Sequence, residues 1–246
     1  MARRLVRHEA ALIVCALVLA ACSKKGSTAG TTVNDLDPLE LDLTPPTKSA
    51  NGSLSFAIGS PAADAPCPRL PEASSITLNG VPGTIRSYGG PTGARAADSK
   101  CNTVDVSFAP AEPAEPKLVI NDGTSKLEVS IAVSPPFRLI TPTLHTTGAM
   151  ATFVFEANAL EGSMKEIEAS YTPEGAEAKS NIPKSAIRIA GKRVLTTLPA
   201  KDLKPGPYRF DVKMKIATTP TVNPPRKSAP KATVSFTESF AFTVAP

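Results

Sequence analysis

Alternation of apolar and polar residues is the main signal along this chain. From Tyr208 to Ile216 every second residue is apolar, and the residues between them are charged. A period of two places one set in a core and the other in water, as in a half-buried β-strand. Shorter runs of this kind recur along the chain, broken by Pro, Gly, Asn and Asp. This pattern predicts an all-β fold.

A first domain is predicted over residues 51–135. The pair Asn79-Gly80 supplies the positive φ angles of a tight hairpin turn between two short strands. A long polar loop at residues 89–100 leads into Cys101. Six short strands of this kind suggest a small β-sandwich. The strand candidates are SLSFAI (53–58), SITLNGVPGTIRSY (75–88, two strands), TVDVSFA (103–109) and the hairpin KLVINDGTSKLEVSIAV (117–133).

A second domain is predicted over residues 136–246, after a short, stiff joint at Pro135-Pro136. The strand candidates are FRLI (137–140), ATFVFEA (151–157), KEIEASY (165–171), SAIRIA (185–190), KRVLTTL (192–198), PYRFDVKMKI (207–216) and TVSFTESFAFTV (233–244). Seven candidates in this length predict a second β-sandwich, so the fold class expected is two tandem β-sandwich domains.

The segment DLKPGPY, residues 202–208, places a turn and then a tyrosine at the start of a late strand. It resembles the tyrosine corner of immunoglobulin-like and fibronectin type III-like sandwiches. The resemblance implies an Ig-like second domain in which Tyr208 forms a hydrogen bond back to the turn. The chain has no tryptophan, so it departs from antibody domains, which carry one in the core.

The N-terminus reads as an export signal. Arg3, Arg4 and Arg7 precede an apolar run at residues 10–20, which is shorter than the ~20 residues that a spanning helix needs. The following Leu19-Ala20-Ala21-Cys22 resembles the lipobox of bacterial lipoproteins. The resemblance implies a signal peptide at residues 1–21, cleavage before Cys22 and acyl chains attached to that cysteine. A plain signal peptide and an uncleaved anchor are the alternatives.

The same resemblance implies a place in the cell envelope. Lipid on Cys22 would hold the protein on a membrane, and Ser23, in the position where aspartate marks inner-membrane retention, favours the outer membrane. The layout resembles that of Gram-negative lipoproteins of unassigned role. Residues 22–50 are predicted to be a flexible tether, rich in Ser, Thr, Gly, Lys and Pro. Within it, DLDPLELDL (35–43) is interpreted as solvated spacer, with an edge strand or a partner site as alternatives.

The cysteine count fits an exported chain. Cys15 lies in the leader and Cys22 carries the lipid, which leaves Cys67 and Cys101 as a pair. Exported pairs are usually bridged, and this one could contribute ~3–4 kcal/mol to stability. Reduced or metal-bound thiols are the alternative. They lack support because the chain has no CxxC motif, and His145 is the only histidine after the leader.

Composition and motifs argue against several functions. Removing the leader's three arginines and one glutamate lowers the formal charge from +5 to +3, which is not typical of a nucleic-acid-binding protein. His145 stands alone, no Gly-x-Ser-x-Gly elbow or zinc-ligand spacing occurs, and no phosphate loop precedes a helix. The chain is therefore predicted to be no enzyme and to bind no metal or cofactor besides its covalent lipid.

Charge is uneven over the second domain. Residues 156–177 are acidic and residues 179–231 are basic, so cross-strand ion pairs are expected once the sheet forms. The proline-rich stretch 217–232 carries Arg226, Lys227 and Lys231 and is the candidate partner contact, with an exposed, tolerant insertion as the alternative.

These observations predict a non-enzymatic envelope lipoprotein that binds or supports a protein or an anionic polymer. A hydrolase of wall or surface polysaccharide, acting through two carboxylates from distant strands, is the alternative. A passive spacer is a third possibility.

Overall fold

The fold is seen in a computed structural model, and within the residues that it describes the chain is all-β, as the alternating pattern predicts. Short 3-10 turns at Glu161–Ser163, Lys184–Ala186 and Ala200–Asp202 interrupt the strands, and the described residues contain no α-helix. Those residues are 32–33, 39–58, 67, 69–91, 101–133, 138–139, 143–144, 148–157 and 161–245.

The described strands are numbered here in chain order and divided into two regions. Those of the N-terminal region, residues 39–133, are β1 Leu39–Thr44, β2 Gly52–Ile58, β3 Ser75–Leu78, β4 Val81–Pro91, β5 Cys101–Phe108, β6 Lys117–Asn121 and β7 Lys126–Ser130. Those of the C-terminal region, residues 138–245, are β8 Arg138–Leu139, β9 Thr143–Leu144, β10 Met150–Glu156, β11 Met164–Pro173, β12 Ser180–Asn181, β13 Ile187–Ala190, β14 Arg193–Pro199, β15 Gly206–Thr218, β16 Thr221–Asn223 and β17 Lys231–Val244. The predicted joint Pro135-Pro136 lies outside the described residues.

One large mixed sheet runs through both regions. Its strand order is β12-β11-β15-β17-β1-β2-β5-β4-β3-β6-β7-β16, and β9 also pairs with β17. A separate four-stranded sheet has the order β13-β14-β10-β8. Strand β4 belongs to two ladders, because its first two residues pair with β3 and residues from Gly83 onward pair with β5.

The predicted tether extends too far along the chain. Residues 39–44 form β1, which pairs in parallel with β17 on one side and antiparallel with β2 on the other. Leu39, Leu41 and Leu43 are buried while Glu40 and Asp42 are exposed. The interpretation of this stretch as solvated spacer is wrong, because its alternating leucines supply one face of a core strand.

The stretch 217–232 is not a simple loop. Its residues 221–223 form β16, which pairs with β7, and Lys231 begins β17. The two end strands of the N-terminal region, β1 and β7, are therefore both paired with strands of the C-terminal region. Consistent with this, Thr31–Pro246 cluster by contacts as one compact unit.

The core of the C-terminal region is aromatic. Phe153 and Phe155 of β10 point from the four-stranded sheet onto Phe210 of β15, with ring centroids 4.7 and 4.9 Å away. Phe242 of β17 meets Phe153 edge-on at 4.7 Å. Offset and edge-on ring pairs of this kind add to the gain from burial, so these residues hold the two sheets face to face.

The core of the N-terminal region is mainly aliphatic, with Phe56 and Phe108 as its largest side chains. Its first hairpin turns at Asn79-Gly80, whose φ angles of 52° and 81° confirm the predicted turn. Gly83 lies so close to the side chains of Val106 and Phe108 that a Cβ atom there would collide with them. Glycine at this position lets β4 pass from one ladder to the other.

Candidate functional site

The predicted disulfide is present. Cys67 and Cys101 are bonded, with their Cα atoms 5.4 Å apart, and the bond ties the segment before β3 to the start of β5. The predicted lipidation site Cys22 and the lone histidine His145 lie outside the described residues. No helix among the described residues is long and apolar enough to cross a membrane.

Tyr208 lies at the start of β15 with its ring buried against Phe242, at a centroid distance of 5.2 Å. Its hydroxyl donates a hydrogen bond to the carbonyl oxygen of Lys204 at 3.1 Å and accepts one from the Lys204 amide at 3.0 Å. The tyrosine thus closes the turn that precedes its own strand.

The three basic residues predicted as a partner contact have different surroundings in the structure. Arg226 is half-buried and donates a hydrogen bond from its guanidinium to the carbonyl oxygen of Val33 at 2.8 Å. Lys231 forms an exposed ion pair with Glu40 at 3.3 Å, while Lys227 is exposed. Two of the three residues therefore hold the chain's own N-terminal segment.

Arg226 belongs to a cluster that we call the linker clamp, formed by Val33, Asp122 and Arg226. Val33 is fully buried, and its amide donates to the Asp122 carboxylate at 2.7 Å. Asp122 also accepts hydrogen bonds from the amides of Thr124 and Ser125 and from the Thr124 hydroxyl. Burial acts to raise the pKa of Asp122, but these hydrogen bonds outweigh it and lower the pKa to about 2.

A groove lined mainly by polar residues lies on the outer face of the large sheet. This sheet groove has a volume of about 510 Å³ and crosses β15, β17, β1, β2, β5 and β4. Strands from both regions form it, so it exists only where β1 pairs with β17. Its polar side chains are those of Asp42, Thr44, Asn51, Ser53, Ser55, Arg86, Asp105, Ser107, Lys213, Lys215, Ser235 and Thr237.

Two carboxylates lie in the middle of the sheet groove. Ser55 of β2 pairs with Asp42 of β1 on one side and with Asp105 of β5 on the other. Since neighbouring strands are about 4.8 Å apart, the two aspartates stand roughly 10 Å from each other along one row. The Thr103 hydroxyl holds Asp105 at 3.0 Å.

The cations of the sheet groove lie toward its two ends. Arg86 of β4 donates to the Ser107 hydroxyl at 3.3 Å. At the opposite end, Lys215 of β15 lies 2.8 Å from Glu166 of the adjacent strand β11. This hydrogen bond, followed by the negative charges of Glu166 and nearby Asp42, raises the pKa of Lys215.

Folding pairs much of the uneven charge of the C-terminal region, as expected from the sequence. Besides Lys215, the lysines Lys184 and Lys213 reach acidic residues of β11, at 3.5 Å from Glu166 and 3.8 Å from Glu168 respectively. Such exposed pairs contribute little stability individually. They do leave the basic segment less available to an external partner than its sequence suggests.

The sheet groove can supply hydroxyl groups and charges of both signs, but no side chain suited to stacking on a flat ring. Among the described residues, no group of three or more His, Cys, Asp or Glu side chains is placed to hold a metal ion. Sequence reasoning missed the sheet groove because each of its strands shows only an ordinary polar face. The available signal was the recurrence of Ser, Thr and Asp at alternate positions of residues 42–44, 53–55 and 105–107.

Comparison of the chain with protein-family models and with curated proteins finds no match.

Proposed function

We propose that this protein is a lipid-anchored, non-enzymatic protein of the bacterial cell envelope that binds an extended polar polymer in the sheet groove. The proposed envelope location and lipid anchor are supported by the lipobox-like Leu19-Ala20-Ala21-Cys22 and by the leader before it. The observation that carries the binding function is the sheet groove itself, a concave polar surface crossing six strands. An outer-membrane location is part of this proposal.

The strand order supports an Ig-like assignment of the C-terminal region. Immunoglobulin sandwiches place strands A, B, E and D in one sheet and C, F and G in the other. The four-stranded sheet here has the order β8-β10-β14-β13, which matches A-B-E-D. In the large sheet, the order β11-β15-β17 matches C-F-G, and β12 is an additional strand beside β11. Tyr208 stands at the start of β15, where such folds carry their corner tyrosine.

The lining of the sheet groove points to a hydroxyl- or amide-rich chain with anionic groups. Serine and threonine hydroxyls can both donate and accept hydrogen bonds, and Asp42 and Asp105 accept them. Arg86 and the two lysines of β15 stand at the ends of the sheet groove, five strand spacings or about 24 Å apart. Acidic groups of a polymer would meet Arg86 at one end and would compete with Glu166 and Glu168 for the two lysines at the other, while its neutral hydroxyl or amide groups cross the aspartates in the middle.

The test measures binding of acidic wall and surface polysaccharides to the full chain and to two matched variants. Ser55→Arg places a bulky cation in the centre of the sheet groove, whereas Ser130→Arg makes the same change on exposed β7. We expect Ser55→Arg to weaken binding at least tenfold and Ser130→Arg to leave it unchanged. Equal binding by both variants would place the contact elsewhere.

A second candidate function is hydrolysis of the same polymer by Asp42 and Asp105. Their backbone positions are roughly 10 Å apart, two strand spacings, and their side chains can bring the carboxyl groups into the range of about 6.5–9.5 Å found in inverting glycosidases. Release of reducing ends that is lost in both Asp42→Asn and Asp105→Asn, with binding retained, would favour it over simple binding.

A further inference from the structure

The linker clamp determines where the N-terminal linker enters the folded body. The Val33 amide donates to Asp122 at 2.7 Å, and the Val33 carbonyl accepts from Arg226 at 2.8 Å. Both polar backbone groups of one buried residue are thus held by side chains 89 and 193 positions away. The predicted tether over residues 22–50 is therefore fixed to the folded body at Val33.

The proposed lipid anchor at Cys22 is close to this point. Ten residues separate Cys22 from Val33, so the two can be at most about 37 Å apart. The opposite end of the β15–β17 hairpin, where Gly206 pairs with Val244, lies 12 residue steps or about 40 Å from the end where Thr218 pairs with Ala232. An anchor at Cys22 thus brings the linker clamp toward the membrane first.

Two exposed basic side chains, Lys126 and Lys227, lie near the linker clamp in the chain, together with the acidic Glu128. Asn223 of β16 pairs antiparallel with Glu128 of β7, two residues from Lys126, and Arg226 reaches Val33, which Asp122 of the β6–β7 turn also holds. Lys126 and Lys227 are exposed, and Lys126 also contacts Glu128 at 2.7 Å. The linker adds Lys24 and Lys25. Basic residues near an anionic bilayer each favour binding, and this attraction acts within about 10 Å of the surface.

We propose that this end of the molecule, which comprises the linker clamp, the β6–β7 turn and residues 224–230, rests on a bilayer surface that contains anionic phospholipid. The inference depends on the proposed anchor at Cys22. It orients the body so that the turns around Tyr208 point away from the membrane.

The test supplies the anchor chemically. The chain from Cys22 onward has one cysteine besides the disulfide, so Cys22 can be coupled to a maleimide lipid in vesicles. Because the chain lacks tryptophan, single reporters can be introduced by Ala229→Trp at the proposed contact and Ala178→Trp at the far end, both exposed positions. Energy transfer to dansyl headgroups is measured on phosphatidylcholine vesicles with and without phosphatidylglycerol.

We expect strong transfer from the Ala229→Trp reporter and weak transfer from Ala178→Trp when phosphatidylglycerol is present. Adding Lys126→Gln and Lys227→Gln should lower the ratio of docked to detached protein by about 30-fold, taking about 1 kcal/mol per lysine. Lys201→Gln with Lys204→Gln, at the far end, serves as the charge-matched control and should change nothing.

Equal transfer from both reporters, or transfer that does not depend on phosphatidylglycerol, would overturn the proposal. A contact that instead crosslinks to an envelope protein, without lipid transfer, would overturn it in favour of a protein partner. The mass of the chain isolated from cells tests acylation at Cys22 separately. Failure of the proposed anchor is therefore distinguishable from failure of the proposed orientation.

Discussion

The two regions of this protein differ in how they complete their sheets. Apart from the pairing of β17 with β1 and of β16 with β7, the C-terminal region is built from its own segments, with the four-stranded sheet packed through phenylalanines onto β15 and β17. The N-terminal region borrows a partner at each end, since β1 pairs with β17 and β7 pairs with β16. Exposed edge strands invite aggregation. The comparison teaches that the N-terminal region depends on the C-terminal region more than the reverse.

The largest effect is expected when the two regions are produced as separate fragments. We expect a fragment of residues 136–246 to unfold cooperatively, because its aromatic core is complete. A fragment of residues 22–135 should aggregate or stay unfolded, because β1 and β7 lose their outer partners. Circular dichroism during thermal unfolding and sedimentation velocity measure both outcomes. A monomeric, cooperatively folded N-terminal fragment would show that the borrowed strands are dispensable.

Matched core substitutions sharpen the comparison. Phe153→Ala and Phe56→Ala each remove a fully buried ring and should each cost about 3–5 kcal/mol. Phe153→Ala should increase hydrogen exchange in both regions, whereas Phe56→Ala should increase it mainly in the N-terminal region. Identical exchange patterns for the two variants would mean that the regions unfold as one unit.

Breaking the linker clamp is expected to give the next largest loss of stability. Asp122→Ala removes four hydrogen bonds to a buried carboxylate and should lower the free energy of unfolding by about 2–4 kcal/mol. Since the pKa of Asp122 falls from 3.8 to about 2 on folding, its contribution is complete above about pH 4 and is lost as pH falls toward 2. Denaturant unfolding across this range measures the effect. If Asp122→Asn loses the same unfolding free energy as the wild type when the pH is lowered, that loss comes from other carboxylates.

Many features of the fold can be predicted from short stretches of sequence. The strand from Tyr208 to Ile216, the Asn79-Gly80 turn and the disulfide follow from residues close in sequence or from simple counting. The position of β1 is not readable in this way. Its leucine pattern is visible, but its partner β17 lies about 190 residues away along the chain, and a short alternating run does not specify its neighbour.

The candidate site was harder to predict for the same reason. The sheet groove becomes a surface only when six strands lie side by side, and no single strand carries its signature. Arg226 was expected to face a partner, yet it holds Val33, because the proline-rich segment around it returns along β7. The charge of such a segment and its exposure can be estimated from sequence. The strand beside which it packs in the folded protein cannot.

The smallest predicted effect concerns Glu238, on the inner face of β17 between Phe236 and Phe240. Desolvation raises its pKa above the usual value. Protonation therefore favours the folded state at low pH, and this contribution is lost as pH rises through the folded-state pKa. Glu238→Gln should stabilise the protein at neutral pH by less than about 1 kcal/mol, because the group is partly exposed. The difference should vanish near pH 4, and a gain that persists there would have a cause other than ionisation.

The pairing of β1 on both edges has a mechanical consequence. Tension applied through a lipid anchor would act on the folded body at Val33. The hydrogen bonds of Val33 with Asp122 and Arg226 would resist it first, and the force would then act along the axis of β1. Because β1 is bonded to β17 on one side and β2 on the other, such a pull loads both ladders in shear, and many hydrogen bonds resist together instead of opening one at a time. The segment nearest the proposed anchor is thus arranged to carry load into the centre of the sheet.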